Sequence, residues 1–260
     1  MIREERKELL RVERLSAGYG EGDIIRDISF SLHEGDRLVV LGPNGCGKTT
    51  LIRAVTGALP SEGILLSEGE DIRKIKARKL ASRIAVLAQL EFSYFSFTVY
   101  ETVMMGRFHH MKGRLFNEAD DKDEAVCEAA LRQVDMWSMR DHLITQLSGG
   151  QLQRVFLART FAQEPNIIFL DEPTNHLDLR YQTELIAYLK HWAQQSGRAV
   201  CGVLHDLNLA ADLADQVLLL SNGETVAQGT WDTVCTPERL ESVFDMDVAA
   251  YMQAALERWK

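Results

Sequence analysis

The residues best suited to chemistry begin with a glycine-rich run that has the spacing of a phosphate-binding loop, G-x-x-x-x-G-K-[ST]. It consists of Gly42, Pro43, Asn44, Gly45, Cys46, Gly47, Lys48 and Thr49. Glycines let the backbone wrap closely, so its N–H groups and the start of the next helix face phosphate oxygens. We expect Lys48 to reach the β- and γ-phosphates and the Thr49 hydroxyl to ligate Mg²⁺. A chance glycine-rich turn is the alternative, and Cys46 fits a small-residue position better than it fits a reactive thiol.

A pair of carboxylates, Asp171 and Glu172, ends the apolar run Ile167–Leu170. A buried strand that exposes acids at its tip indicates a use for them, although a helix N-cap is the plain alternative. Asp171 is suited to hold Mg²⁺, usually through water, and Glu172 is placed to polarise an attacking water. Together with the phosphate loop, this pair predicts a nucleoside-triphosphate hydrolase of the P-loop class.

A second anion-binding helix start is predicted at Ser148, Gly149, Gly150 and Gln151, which follow Leu147. Ser148 is a natural N-cap, and the glycines leave backbone N–H groups uncovered. A simple capped helix would also explain these residues. Since the first loop already cradles a phosphate, a second such helix end makes sense if it closes over the nucleotide of a partner subunit.

Short apolar runs supply the elements that must position these groups. Leu38–Leu41 precedes the phosphate loop, which runs into a helix from about Lys48 to near Gly57. Further runs of this kind are Ile84–Leu87, Ile167–Leu170 and Ala199–Leu204. Because such runs alternate with helical stretches, we predict an α/β fold with a mostly parallel sheet and ligands at the carboxyl ends of its strands.

The stretch 91–162 has a different pattern, with apolar residues at helical spacing such as Val126, Ala130 and Val134. We therefore predict one domain over 1–260 with a helical subdomain inserted at about 91–162. The acidic run Glu118–Glu124 is interpreted as a solvated loop or a helix start. Near the end, Ser221-Asn222-Gly223 between two strand-like runs predicts a hairpin. Only one phosphate loop is present, so a symmetric two-site machine would need two copies.

Composition argues against several classes of function, although net charge says nothing about a local basic patch. The 260 residues carry a formal net charge of −9, with 29 basic against 38 acidic residues, which disfavours a nucleic-acid partner. The four cysteines are scattered and form no CxxC pair, so a reducing compartment is expected. The charged start Met1–Arg14 lacks the apolar core of a signal peptide, and no apolar run approaches the ~20 residues of a membrane span. We therefore expect a soluble chain, and any membrane spans to come from another polypeptide.

The order of these motifs, with Leu147–Gln151 between the phosphate loop and Asp171-Glu172, resembles the ATP-binding cassette (ABC) family over almost the whole chain. The resemblance implies an ABC ATPase fold that adds an N-terminal antiparallel β element. It also implies roles for further residues, namely Tyr19 against adenine, Gln89 as a sensor of Mg²⁺ and the permease, Asp178 as the key acid of the loop Asn175–Asp178 that crosses between subunits, and His205 at the γ-phosphate. Taken singly, Tyr19 is more typical of a surface aromatic, and a lone glutamine or histidine of a structural residue.

The resemblance further implies a mechanism. Two copies would form a head-to-tail homodimer that holds each ATP between Gly42–Thr50 of one copy, Thr50 included, and Ser148–Gln151 of the other. Closure would be passed to an integral membrane permease through the groove near Gln89 and the helical insertion. The subunit would sit on the cytoplasmic side of the cell membrane, in a system that includes an extracytoplasmic substrate-binding protein.

Several stretches resemble the branch that imports iron–siderophore complexes, haem and corrinoids, including Thr98–Val103, Met105–His110 and Cys235–Leu240. Thr49 in place of a frequent serine, and His109 where proline is common, depart from that branch. His109 and His110 could suggest a metal, but no third ligand is near in sequence, and a polar loop is the better interpretation. The alternatives are another transporter class, a DNA-repair or ribosome-associated ATPase, and a scaffold with an inactive site.

Overall fold

The computed structural model describes residues 6–20, 22–88, 96–111, 120–175 and 177–259. Its strands are β1 (Glu8–Ala17), β2 (Ile25–His33), β3 (Arg37–Leu41), β4 (Glu62–Ser67), β5 (Glu70–Asp71), β6 (Ile84–Ala88), β7 (Ile167–Asp171), β8 (Ala199–Val203), β9 (Gln216–Ser221) and β10 (Glu224–Gly229). Its α-helices are α1 (Lys48–Val55), α2 (Ala77–Ala81), α3 (Val99–Met104), α4 (Asp121–Gln133), α5 (Gly149–Ala162), α6 (Leu179–Ala193), α7 (Leu207–Leu213), α8 (Trp231–Val234), α9 (Pro237–Phe244) and α10 (Val248–Glu257).

The strands form two sheets. The first is antiparallel, with the order β2-β1-β4-β5, and the second has the order β10-β9-β3-β8-β7-β6. In the second sheet every pairing is parallel except that of β9 with β10, which are joined by the tight turn at Asn222 and Gly223. The predicted α/β fold, mostly parallel sheet, antiparallel N-terminal element and terminal hairpin are all confirmed.

The four central strands of the six-stranded sheet, β9, β3, β8 and β7, are buried on both faces, which explains their nearly continuous apolar sequences. Alternate residues of β3 enter different hydrophobic cores because successive side chains of a strand point to opposite faces. Val39 and Leu41 join a core with helices α3 to α7, whereas Leu38 and Val40 join a core with α1 and the antiparallel sheet. The result is a layered molecule in which the central strands are fixed from both sides.

The parallel strands bring the chemical groups to one edge. Strands β3, β7 and β8 are neighbours in the order β3-β8-β7, so their carboxyl ends meet at the same side of the sheet. Gly42 directly follows β3, Asp171 ends β7, and His205 lies two residues after the end of β8. The site predicted from separate motifs is therefore assembled by the order of three strands.

Helices α3, α4 and α5, which lie between β6 and β7 in the sequence, pack against one another. The description of this region as a separate subdomain at about 91–162 stays a prediction. The acidic run does start a helix, since the Asp120 side chain accepts a hydrogen bond from the Asp123 N–H at the beginning of α4. The helix-start alternative is therefore confirmed, whereas the solvated-loop alternative does not hold for Asp123, which is buried and paired with Arg107. Within the described ranges, no helix is both long and apolar enough to cross a membrane.

Candidate active site

The phosphate loop joins the end of β3 to the start of α1, and two of its glycines are required by close approach. A Cβ on Gly42 would lie 2.2 Å from the Leu220 carbonyl oxygen. Gly47 has a φ of +104° and would place a Cβ 2.5 Å from the Ile25 side chain. Residues with larger side chains would push the loop off the sheet. The loop therefore keeps the tight backbone path that exposes N–H groups to an anion.

Lys48 and Thr49, at the start of α1, face the inside of this site. The buried Lys48 ammonium donates to the carbonyl oxygens of Gly42, at 2.8 Å, and Pro43, at 2.9 Å. The Thr49 hydroxyl donates to Asp171 Oδ1 at 3.2 Å, although the two residues are 122 positions apart. A cation and a hydroxyl–carboxylate pair thus lie beside the loop that would cradle phosphate.

Thr49 and Asp171 have the oxygen donors that suit Mg²⁺. Burial raises the pKa of Asp171, the Thr49 hydrogen bond lowers it, and the neighbouring charge of Glu172 raises it further. A cation at this position would remove the electrostatic cost of the buried carboxylate. The described residues include no group of three or more His, Cys, Asp or Glu side chains able to hold a metal. Mg²⁺ commonly binds one or two protein oxygens together with water and substrate phosphates, so two donors fit.

Glu172 is held on both carboxylate oxygens. His205 Nε2 lies 2.5 Å from Oε1, and Asn175 Nδ2 donates to Oε2 at 2.8 Å. The backbone of Glu172 has a φ of +54°, the left-handed region that non-glycine residues seldom adopt, and its N–H donates to the Val203 carbonyl at 3.2 Å. No contact with Glu172 is predicted for Asn175, which the sequence places only as the first residue of the loop Asn175–Asp178.

The predicted second anion site lies at the start of α5. Ser148 accepts a hydrogen bond from the Gln151 N–H, and the Gln151 side chain accepts one from the Ser148 N–H. This capping box satisfies two backbone donors. Gly149 borders open space, whereas Gly150 packs against the ring of Tyr181. Among the described residues, no hydrogen bond or ion pair joins this helix start to the phosphate loop of the same chain.

Two further predicted site residues, Tyr19 and Asp178, make contacts outside this cluster. Tyr19 is half exposed, and its hydroxyl accepts a hydrogen bond from Arg53 on α1 at 3.0 Å, which places the ring beside the phosphate-loop helix. Asp178 caps α6 by accepting from the Tyr181 N–H at 3.0 Å, and its contact across a subunit boundary stays a prediction. Gln89 lies outside the described residues, as does His176.

The paired histidines after α3 lie in a turn, as predicted. Their ring centroids are 3.8 Å apart. Burial lowers the pKa of His109 to about 4 and also lowers the pKa of His110, with the nearby charge of Arg107 acting in the same direction. Both rings are therefore neutral near pH 7.

A phosphate loop between a buried strand and a helix, with a hydroxyl–carboxylate pair and a second carboxylate at the neighbouring strand ends, defines a nucleotide-binding protein of the P-loop class. Residues 25–175 match the model of the ABC transporter family. The chain belongs to that family, whose ATP-binding proteins bind ATP, generally with Mg²⁺, and hydrolyse it.

Individual relatives agree with this family assignment. The chain is 40% identical over 242 residues to the uncharacterised ABC transporter ATP-binding protein YvrA of Bacillus subtilis, covering 93% of this chain and 54% of that protein, so it spans about half of YvrA. It is 36% identical to the iron(3+)-hydroxamate import ATP-binding protein FhuC of the same species, covering 92% of this chain and 88% of FhuC. A metal-chelate type ABC transporter in an inward-facing conformation superposes with a TM-score of 0.81 at 30% identity, covering 93% of this chain and 90% of that chain.

Proposed function

We propose that this chain is the ATP-binding and ATP-hydrolysing subunit of an ABC importer that powers uptake of an iron chelate or a corrinoid through a separate membrane permease. The observation that carries the ATPase proposal is the convergence of Thr49, Asp171, Glu172 and His205 beside the phosphate loop. The import branch is supported by the likeness to FhuC and to the metal-chelate type transporter.

Each residue of the centre has a role in this proposal. Lys48 and the loop N–H groups bind the β- and γ-phosphates, and Tyr19 stacks on adenine. Thr49 and Asp171 would hold Mg²⁺, which when bound neutralises charge that develops on the phosphates. Glu172 accepts a hydrogen bond from the attacking water and draws its proton away from oxygen. His205 supports the Glu172 carboxylate and contacts the γ-phosphate.

The other half of the site would come from a second copy. Ser148–Gln151 of the partner would close over the triphosphate, with Asp178 crossing between the subunits. Support comes from the helix start in this chain, which makes no polar contact with its own phosphate loop among the described residues. Gln89 and a helical subdomain at about 91–162 would pass closure to the permease, on the cytoplasmic side of the membrane and in a system with an extracytoplasmic binding protein.

The proposed ATPase is tested with Glu172→Gln, which keeps the size of the side chain but removes the base. We expect turnover to fall by about 10²- to 10⁴-fold while ATP binding is retained. ATP should also convert the variant from monomer to dimer in size-exclusion chromatography. Glu224→Gln, on the exposed strand β10, is the matched control and should behave as wild type. Full turnover by Glu172→Gln would show that the base is assigned wrongly.

The import proposal needs its own experiment. The chain is co-purified with its permease and reconstituted in vesicles with the binding protein, and ATP-dependent uptake of iron–hydroxamate, haem and corrinoid is compared. We expect one of these cargoes to be transported and Glu172→Gln to abolish transport. ATP-driven movement of an unrelated cargo, with none of the three taken up, would place the chain in another transporter class.

A further inference from the structure

Asn175 is the third group of the carboxylate cluster, and the proposed mechanism gives it no role. Its Nδ2 donates to Glu172 Oε2 at 2.8 Å, while His205 Nε2 lies 2.5 Å from Oε1 of the same carboxylate. The backbone closes the same loop, because the Asn175 N–H donates to the Glu172 carbonyl at 3.3 Å. Both oxygens of Glu172 are thus held, each by a different element.

Contacts to both oxygens restrict the rotation of the Glu172 carboxylate more than a contact to one oxygen. A glutamate has three side-chain torsions, and the last of them is broad, so a carboxylate held through one oxygen can still turn about its final bond. With His205 Nε2 against one oxygen, the Asn175 hydrogen bond to the other oxygen fixes the carboxylate plane. Only 23% of the Glu172 side chain is exposed, so few water molecules can replace a lost donor. Orientation of a reacting group contributes strongly to rate, which makes the plane of this carboxylate important.

The chemical type of Asn175 suits this position. An amide donates a hydrogen bond without carrying charge, so it orients the carboxylate and leaves it free to accept a proton. An arginine or lysine would pair with Glu172 and make it a weaker base. The left-handed backbone of Glu172 is a further sign that the loop is held in one shape.

We propose that Asn175 is a positioning residue that fixes the orientation of the Glu172 carboxylate for attack of water on ATP. This role rests on the proposed ATPase function. Asn175 acts through Glu172 alone, so removing its side chain lowers the rate of the chemical step and leaves the affinity for ATP unchanged.

The test compares Asn175→Ala and Asn175→Asp with wild type. The aspartate keeps the shape of the asparagine but replaces its donor with an acceptor that repels Glu172. We expect kcat to fall roughly 10- to 100-fold in both variants, as for loss of one hydrogen bond to a charged group. KM for ATP should stay within about twofold, as should ATP-driven dimer formation of each variant combined with Glu172→Gln.

Asn166 provides a matched control at the other end of β7. Its Nδ2 donates to the Gly197 carbonyl at 3.1 Å, so Asn166→Ala also loses one asparagine hydrogen bond, but far from Glu172. Thermal melts of all variants show whether a loss of kcat is a loss of folding. We expect Asn166→Ala to lower the melting temperature slightly and to keep kcat.

The outcomes separate this role from the function on which it rests. A wild-type chain without ATPase activity, alone or with its permease, would overturn both. An active wild type with unimpaired kcat in Asn175→Ala would overturn the role of Asn175 alone. Wild-type turnover in Asn175→Asp, with reduced turnover in Asn175→Ala, would show that the shape of the side chain matters and its hydrogen-bond donor does not. Weaker ATP binding or dimer formation that accompanies the loss of kcat would place Asn175 at the subunit contact instead. Either result would also overturn the proposal.

Discussion

The buried ion pair centred on Arg107 gives a stability prediction that can be worked out from its contacts. The Arg107 side chain is 1% exposed and donates to Asp123 Oδ1 at 2.8 Å, to the Ala162 carbonyl at 2.7 Å and to Glu164 Oε2 at 2.7 Å. It thereby ties the start of α4 to the end of α5. The two acidic partners differ in burial, since the Asp123 side chain is 6% exposed and that of Glu164 is 41% exposed.

That difference in burial determines how much stability is lost when each acidic partner of Arg107 is replaced by alanine. In Asp123→Ala, the Arg107 Nε loses its acceptor in a site that water cannot enter, which costs about 3 kcal/mol of local stability. The value is at the lower end for a broken buried pair because the Ala162 carbonyl and Glu164 remain. In Glu164→Ala, water reaches the vacated side of the guanidinium, and the cost is about 1 kcal/mol or less.

Amide hydrogen exchange is the suitable assay, because a chain of this size can open in parts and one global midpoint would mix those events. Exchange in α4 and α5 reports the local loss, and exchange in β3 serves as the internal reference. ATP affinity should not change in either variant, since neither residue contacts the phosphate loop. Equal losses in the two variants, or a loss below about 1 kcal/mol for Asp123→Ala, would refute the reasoning from burial.

Two further predictions concern the site. Gly150→Ala places a Cβ 2.3 Å from the Tyr181 ring and should cost about 1–3 kcal/mol in denaturant titration, whereas Gly149→Ala points into open space and should keep or slightly raise stability while blocking ATP-driven dimer formation. Normal dimer formation by Gly149→Ala would argue against a partner nucleotide there. Burial raises the pKa of Asp171 in the folded chain above its value in the unfolded chain. Its negative charge therefore destabilises the fold at pH values above the raised pKa, and this cost is absent at pH values below the unfolded-state pKa. Asp171→Asn should therefore abolish Mg²⁺-dependent hydrolysis yet melt no earlier than wild type at pH 7, with the difference shrinking toward acidic pH; a large destabilisation at pH 7 would contradict this.

Much of the fold and part of the site could be predicted because they depend on local pattern. The run Leu38–Leu41 is apolar throughout since β3 is covered on both faces, and the glycines after it are dictated by close approach within a few residues. The meeting of Thr49 with Asp171 was also foreseeable, because the phosphate loop that leads to Thr49 leaves the carboxyl end of β3 and Asp171 ends β7 in the same parallel sheet. Short-range spacing and one topological rule were sufficient for these conclusions.

What could not be predicted depends on contacts between distant elements or on side-chain direction. The acidic run is compatible in sequence with a solvated loop or a helix start, because local pattern does not show that Arg107 reaches Asp123 from 16 residues earlier and Glu164 from 57 residues earlier in the chain. Asn175 lies inside a recognised motif, yet only the left-handed turn at Glu172 brings its amide to the carboxylate. Charge and spacing alone do not show which oxygen a donor will reach.

The two adjacent carboxylates show how one strand end can hold two different chemical groups. Asp171 accepts a hydrogen bond from the neutral Thr49 hydroxyl, and burial raises its pKa although the charges of Arg53 and His205 act in the opposite direction, so a cation at this position would relieve the cost of its charge. Glu172 is contacted on each oxygen, by His205 Nε2 at Oε1 and by a hydrogen bond from Asn175 at Oε2, so it is fixed in direction without a metal. Environments that differ in this way separate the roles of neighbouring acids. The same reasoning predicts that the double variant Asp171→Glu with Glu172→Asp, which exchanges the two acids, would lose both functions, because the donors are placed for one side-chain length at each position.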